Sequence, residues 1–179
     1  MHLERICLYL QNDREKMKIA YADPPYIGMA NLYPEKQEVD HEKLILELET
    51  YDAWALSCYS NSLHILLPMC KPDIRIAAWV KPFASFKPNV NPAYTWEPVL
   101  FRPLPRARGE PTIRDWISVS ITTGKHIKGA KPPKFCFWLF ELLGARADDE
   151  FYDLFPGTGV VTRCWESWRD MQCCKQLEL

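Results

Sequence analysis

Nothing in this sequence is arranged as a metal centre or a disulfide framework. The seven cysteines (Cys7, Cys58, Cys70, Cys136, Cys164, Cys173, Cys174) are odd in number and contain no C-x-x-C pair, and the four histidines (His2, His41, His64, His126) lack ligand spacing. No metal is expected, and unpaired thiols suit a reducing cytoplasm. A long apolar run is missing too. The most apolar stretch, residues 135–143, is interrupted by Glu141 and falls well short of the roughly 18 residues of a membrane span. A secretory leader is not expected, because Glu4, Arg5, Asp13, Arg14 and Glu15 surround only a brief apolar patch. There is no charge excess: a net charge of -1 and a pI near 6.4 give no bulk attraction for a polyanion, so such a partner needs a local basic patch. Internal repeats and low-complexity tracts are likewise lacking.

What is present is enough apolar material, 47% of 179 residues, for one core but not two comfortable ones. Residues 1–16 place Leu3, Ile6, Cys7 and Leu10 at helical spacing, which predicts an amphipathic extension ahead of a main domain over 17–179. Residues 18–22 read as a buried strand. Asp40 caps a helix over 41–50 with Leu44, Ile45 and Leu48 inward. A strand over 53–58, a helix over 61–69 and a strand over 74–80 continue a parallel α/β alternation. A proline-bearing loop over 81–92 precedes a strand over 94–101. A helix over 135–143 is closed by Gly144, and a strand over 150–154, a glycine turn and a helix over 160–169 follow. The last residues, 173–179, read as a poor, polar strand. Seven tryptophans and eight tyrosines suit base stacking or an ordinary aromatic core.

Two short motifs sit at the carboxyl ends of strands, where open parallel sheets bind ligands. The first is Asp23-Pro24-Pro25-Tyr26 and the second Phe155-Pro156-Gly157-Thr158-Gly159. Each has an ordinary explanation alone. Asp-Pro-Pro is a good turn and helix-start signal, and glycines after a strand serve tight turns in many α/β proteins. Together in one small chain they point to a paired site.

The sequence here resembles the amino-methyltransferases of DNA, which make N6-methyladenine or N4-methylcytosine. D-P-P-Y resembles their catalytic motif, and Asp153 to Gly159 their F-x-G-x-G cofactor motif. The order, catalytic motif first, resembles the permuted subgroup. Trp79-Val80-Lys81 is similar to the family's W-x-K, Glu97 to Phe101 to its E-x-x-L-F strand, and Lys131-Pro132 to the K-P before the cofactor motif. The resemblance implies a circularly permuted, Rossmann-like fold of class α/β, with a mostly parallel sheet flanked by helices. It also implies S-adenosylmethionine as cofactor, DNA as partner, and the cytoplasm of a bacterial or phage-infected cell, in a restriction-modification setting.

The implied site follows residue by residue. Asp23 and the Pro24 carbonyl accept hydrogen bonds from a base amine whose lone pair must be freed from the ring, Pro25 stiffens the loop, and Tyr26 stacks on a base flipped out of the duplex. Tyr21, Asp23, Lys131, Asp153, Phe155, Gly157, Thr158 and Gly159 border the cofactor, with Glu178 as the ribose partner by spacing. The family usually continues through further strand and helices where this sequence stops, so a neighbouring subunit, as in a homodimer, is one source of a missing wall. Recognition is assigned to a basic insert over about 102–130, with Arg106, Arg108, Arg114, Lys125 and Lys128 on phosphates and Trp116 and His126 stacking or wedging; a solvated basic loop is the plain alternative. Aspartate in the first motif position favours adenine N6 in DNA. Cytosine N4 or RNA adenine is the alternative substrate. A non-catalytic nucleic-acid-binding subunit is the alternative of another class, and a dinucleotide-dependent enzyme ranks below it.

Overall fold

The computed structural model of the chain describes residues 15–32, 36–82, 90–106, 109–121 and 130–176. Six strands form one sheet: β1 (Lys18–Ala22), β2 (Ala53–Ser57), β3 (Arg75–Val80), β4 (Trp96–Arg102), β5 (Trp116–Ser118) and β6 (Glu150–Asp153). Their order is β5-β3-β4-β2-β1-β6. β1 pairs in parallel with both β2 and β6, β3 in parallel with β5, and β4 antiparallel with both β2 and β3. β1 and β2 are apolar without alternation, and both are almost wholly buried, as expected of strands covered on two faces.

Helices occupy both faces. On one, α1 (His41–Leu48) and the one-turn α2 (Leu63–Leu66) cover Ala20, Ala22, Trp54, Leu56 and Leu100. On the other, α3 (Pro133–Leu143) and α4 (Val160–Gln176) cover Ile19, Tyr21, Ala53, Ala55, Val99 and Phe101. Period-2 alternation along the strands makes this division, since successive side chains point to opposite faces. The Asp40 carboxylate caps α1 by accepting the Lys43 N–H at 3.1 Å, and Gly144 ends α3 at φ 75°, both where the sequence placed them. Phe140, Phe151, Trp165 and Trp168 interlock under α4, with ring centroids 5.0–5.6 Å apart. Burial of each such side chain contributes about 1.5–3 kcal/mol.

The sheet order places antiparallel β4 between β2 and β3; apolar runs reveal strands but not their neighbours. Three sequence expectations change. The helix expected over 61–69 is broken into 3-10 turns at Ser60–Ser62 and Leu67–Met69 around α2, because Pro68 lacks the N–H that a longer helix needs. The basic segment contains a strand, β5, too short to show alternation. Finally, α4 runs on through residues 173–176, where a poor, polar strand was expected, instead of stopping near 169. Val161, Cys164, Trp165 and Trp168 give α4 a buried stripe, and no proline or glycine stops it after that. The amphipathic segment expected over 1–16 lies outside the described residues up to residue 14. No helix among the described residues is long and apolar enough to cross a membrane.

Candidate active site

Both motifs lie at one rim of the sheet, side by side. Tyr21 on β1 is in register with Asp153 on β6, and the Leu154 N–H donates to the Tyr21 carbonyl at 2.9 Å. D-P-P-Y and F-P-G-T-G therefore leave adjacent parallel strands at their carboxyl ends. β1 is also where the chain's progress reverses: β2 lies on one side and β6, reached last, on the other. Such a switch point opens a crevice for a ligand, because the two connections diverge to opposite faces.

Asp23 continues the strand alternation toward the α3 face. There the Lys131 ammonium, one residue-pair ahead of α3, meets its Oδ1 at 2.8 Å. Lys131 is only 5% exposed, and its Nζ lies 5.3 Å from the centre of the Trp79 ring and 5.9 Å from that of Phe135. Its second carboxylate is Glu97 on β4, at 3.6 Å. Glu97 also pairs with Lys81 at the end of β3 and accepts the Tyr26 hydroxyl at 3.0 Å. Two carboxylates, two ammonium groups and a phenol thus form one network that spans β1, β3, β4 and the entry to α3. Its formal charges cancel, which is the condition for keeping it largely out of water.

The two carboxylates titrate in opposite directions. Burial pushes Asp23 above the ordinary aspartate range, although Lys131 pulls the other way. Burial also acts upward on Glu97, but Lys131, Lys81 and the Tyr26 hydroxyl outweigh it and hold Glu97 below the ordinary glutamate range. Burial and the nearby Asp23 and Glu97 charges raise Tyr26 well above the usual phenol value, so it stays a donor.

The glycine turn has its own geometry. Gly157 and Gly159 adopt φ 47° and 70°, a region that other L residues enter at a cost of about 1–2 kcal/mol. A Cβ on Gly159 would lie 3.1 Å from the Arg163 guanidinium. The Thr162 hydroxyl donates to Asp153 at 3.1 Å, and burial raises the Asp153 pKa. Phe155 is half-buried against the α1 face, whereas Thr158 is exposed. The cradle is open and lies at the N-terminus of α4, whose first amides have no partner within the helix.

Not every expected residue joins this rim. Tyr21 is fully buried: its ring tilts on Phe135 with centroids 6.3 Å apart, and its hydroxyl shares a 2.7 Å hydrogen bond with Ser57. It packs in the core beneath the D-P-P-Y strand end and has no surface left for a ligand. Arg106 is at the opposite rim, where its guanidinium is donated to the Glu141 and Pro111 carbonyls beside the C-terminus of α3. Eleven-residue α3 separates it from Lys131 by about 16 Å at ~1.5 Å per residue. Arg114 precedes β5 at that same opposite end, with its guanidinium 5.5 Å from the centre of the Trp116 ring. Neither arginine reaches the D-P-P-Y loop, since the chain leaves β4 at the far rim and must run back along β5. Arg108, Lys125, Lys128, His126 and Glu178 lie outside the described residues. Conversely, Glu97 and Lys81 belong to the network although the sequence singled them out only within strand motifs. The available signal was an acidic residue inside an otherwise apolar strand. Among the described residues no group of three or more His, Cys, Asp or Glu side chains could hold a metal ion.

No family model matches the sequence, and no curated protein matches it. Solved structures do resemble it. The crystal structure of the M1.HpyAVI–SAM complex superposes with a TM-score of 0.59 at 14% identity, covering 94% of this chain and 86% of the other. The crystal structure of M1.HpyAVI superposes with a TM-score of 0.56 at 10% identity, covering 93% and 84%. The chain shares its fold with M1.HpyAVI. At such identities the likeness rests on the path of the backbone through nearly the whole sheet and its helices, and the side-chain chemistry has to be read from this chain's own residues.

Proposed function

We propose that this chain is an S-adenosylmethionine-dependent methyltransferase that modifies an exocyclic amine of a base in DNA, with adenine N6 as the target. The observation that carries the reading is the Asp23 carboxylate, held by Lys131 at 2.8 Å, directly beside a positive-φ glycine turn on the neighbouring strand. The fold is shared with a protein crystallised as a SAM complex, and the glycine turn suits such a ligand: an exposed turn with two positive-φ glycines at a helix N-terminus.

Asp153, Phe155, Gly157, Thr158 and Gly159 would hold the cofactor, with Asp23 and Lys131 facing its reacting end. S-adenosylmethionine supplies an electrophilic methyl group on a sulfonium. Asp23 and the Pro24 carbonyl would accept hydrogen bonds from the base amine, so that its lone pair turns out of the ring plane toward that methyl; the proton released as the methyl is transferred would pass to Asp23 or to solvent. Lys131 holds Asp23 in place and favours its charged, accepting form. Pro24 and Pro25 keep these acceptors from reorienting, which is where preorganisation lowers a barrier. Tyr26, tied by its hydroxyl to Glu97, presents its ring for stacking on a base removed from the duplex.

Calorimetry with S-adenosylmethionine, followed by nucleoside mass spectrometry of an unmodified plasmid incubated with the protein and methyl-labelled cofactor, tests the proposal. Binding of the cofactor and label in N6-methyladenine are expected. Label in N4-methylcytosine, or in RNA alone, would correct the substrate. A chain that fails to bind the cofactor would overturn the enzyme reading in favour of a non-catalytic, nucleic-acid-binding subunit.

A further inference from the structure

The aromatic surface of the active rim does not end at Tyr26. Tyr59, just past β2, lies nearly parallel to Tyr26, with ring centroids 6.3 Å apart and planes at 9°. Tyr94, just ahead of β4, follows at 4.8 Å with its plane tilted by 56°. All three belong to the same end of the sheet, because β4 is antiparallel to β2 and begins where β2 finishes. The row is fixed by hydrogen bonds and not left to rotate. Tyr26 donates to Glu97, the Tyr59 and Tyr94 hydroxyls are hydrogen-bond partners, and Asn61 Nδ2 donates to the Tyr94 oxygen at 2.7 Å. The outer end is open to solvent, with Tyr94 43% and neighbouring Trp96 37% exposed.

A core aromatic cluster buries its faces, as the rings under α4 do. This row is anchored at its polar ends and emerges from the catalytic loop into solvent, an arrangement that costs exposure of aromatic surface unless a planar partner covers it. A base stacked on Tyr26 is necessarily close to parallel with Tyr59 as well. Successive bases of an unpaired strand stack on such ring faces whatever their identity.

We propose that Tyr59 and Tyr94 form a stacking subsite for nucleotides that flank the target base on an unpaired DNA strand. The assignment rests on the proposed chemistry at Asp23 and extends it outward: the rim grips the local single strand as well as the flipped base.

Fluorescence anisotropy with the full chain provides the test, using a labelled single-stranded deoxyoligonucleotide and an abasic strand of the same length and charge. The unaltered protein should prefer the base-bearing strand. Tyr94→Ala should weaken binding of that strand by about 5- to 100-fold and shrink its advantage over the abasic strand, while cofactor affinity stays unchanged. Tyr94→Phe, which keeps the ring, should retain most of the preference, and Tyr59→Leu should repeat the loss. An equal preference in the unaltered and Tyr94→Ala proteins overturns the subsite, as does binding confined to RNA. Methyl transfer that persists beside an unchanged preference would overturn only the subsite; Tyr94-dependent strand binding without any transfer would leave the subsite standing and remove the enzyme reading.

Discussion

The two rims of the sheet each carry a charged network, and they are built differently. At the far rim, Arg102 at the end of β4 is donated to the Glu49 carboxylate and to the Tyr51 carbonyl at 2.6 Å, and Lys71 reaches Glu49 at 2.7 Å. Those bonds tie the loop after α1 to the neighbouring strand, and Arg106 likewise ends on backbone carbonyls. At the near rim, Asp23, Glu97, Lys81, Lys131 and Tyr26 bond to one another through side chains. Cations that tie a loop to a strand, on carbonyls and on Glu49, hold a fold together. At the near rim the bonding is between side chains, around a carboxylate whose pKa burial raises.

The largest test of that contrast is Asp23→Ala. Methyl transfer should fall by at least about 100-fold, the scale of removing one preorganised polar group, while calorimetry still detects cofactor binding. A fully active variant would break the distinction between the rims at its centre. Next comes Glu97→Gln, which keeps the shape but weakens the hold on Tyr26, Lys81 and Lys131. Misplacement of the stacking ring should lower kcat by about 10- to 100-fold with little change in the KM for cofactor; an unaltered kcat would mean that Glu97 is only a strand residue.

The pH dependence sharpens the same difference. Burial raises the Asp23 pKa, so folding disfavours its ionised form, and protonation restores the balance at low pH. Transfer needs the ionised acceptor and should therefore decline at a higher pH than an ordinary aspartate allows. Glu97 is held low. Its stabilising contribution is present above the ordinary carboxylate range and is lost only as pH falls through its depressed folded value. Rate profiles and melting curves measured across the acid range should accordingly separate, with activity failing first. Coincident loss of rate and structure would contradict the assignment.

At the far rim, Arg102→Met should cost about 2–3 kcal/mol of stability, lowering Tm by about 4–12 °C, without altering the rate per folded molecule; a loss of kcat would show that the rims communicate. The smallest effect is expected of Gly159→Ala. Its φ of 70° and the 3.1 Å approach of Arg163 should weaken cofactor affinity about fivefold, equivalent to ~1 kcal/mol, by calorimetry.

Much of this architecture is legible along the chain. Helix ends at Asp40 and Gly144, the buried strand before D-P-P-Y and the strand before the glycine turn all follow from local backbone chemistry, which acts over a few residues. The break in the 61–69 helix is equally local, since Pro68 has no N–H to give a longer helix. β5 was hidden because three residues cannot display a period.

The sequence by itself determined the two motifs, their residue types and their places at strand ends, because capping, turn formation and burial patterns are written in neighbouring residues. Only the tertiary structure decided that β4 runs between β2 and β3, that Glu97 and Lys81 face Asp23 and Tyr26, that Tyr21 is sealed in the core, and that Arg106 and Arg114 lie at the end of the sheet opposite D-P-P-Y. Those facts depend on which strands pair and in which direction. Such pairings join residues up to 132 positions apart, as Met17 and Asp149 are, and no local pattern encodes them.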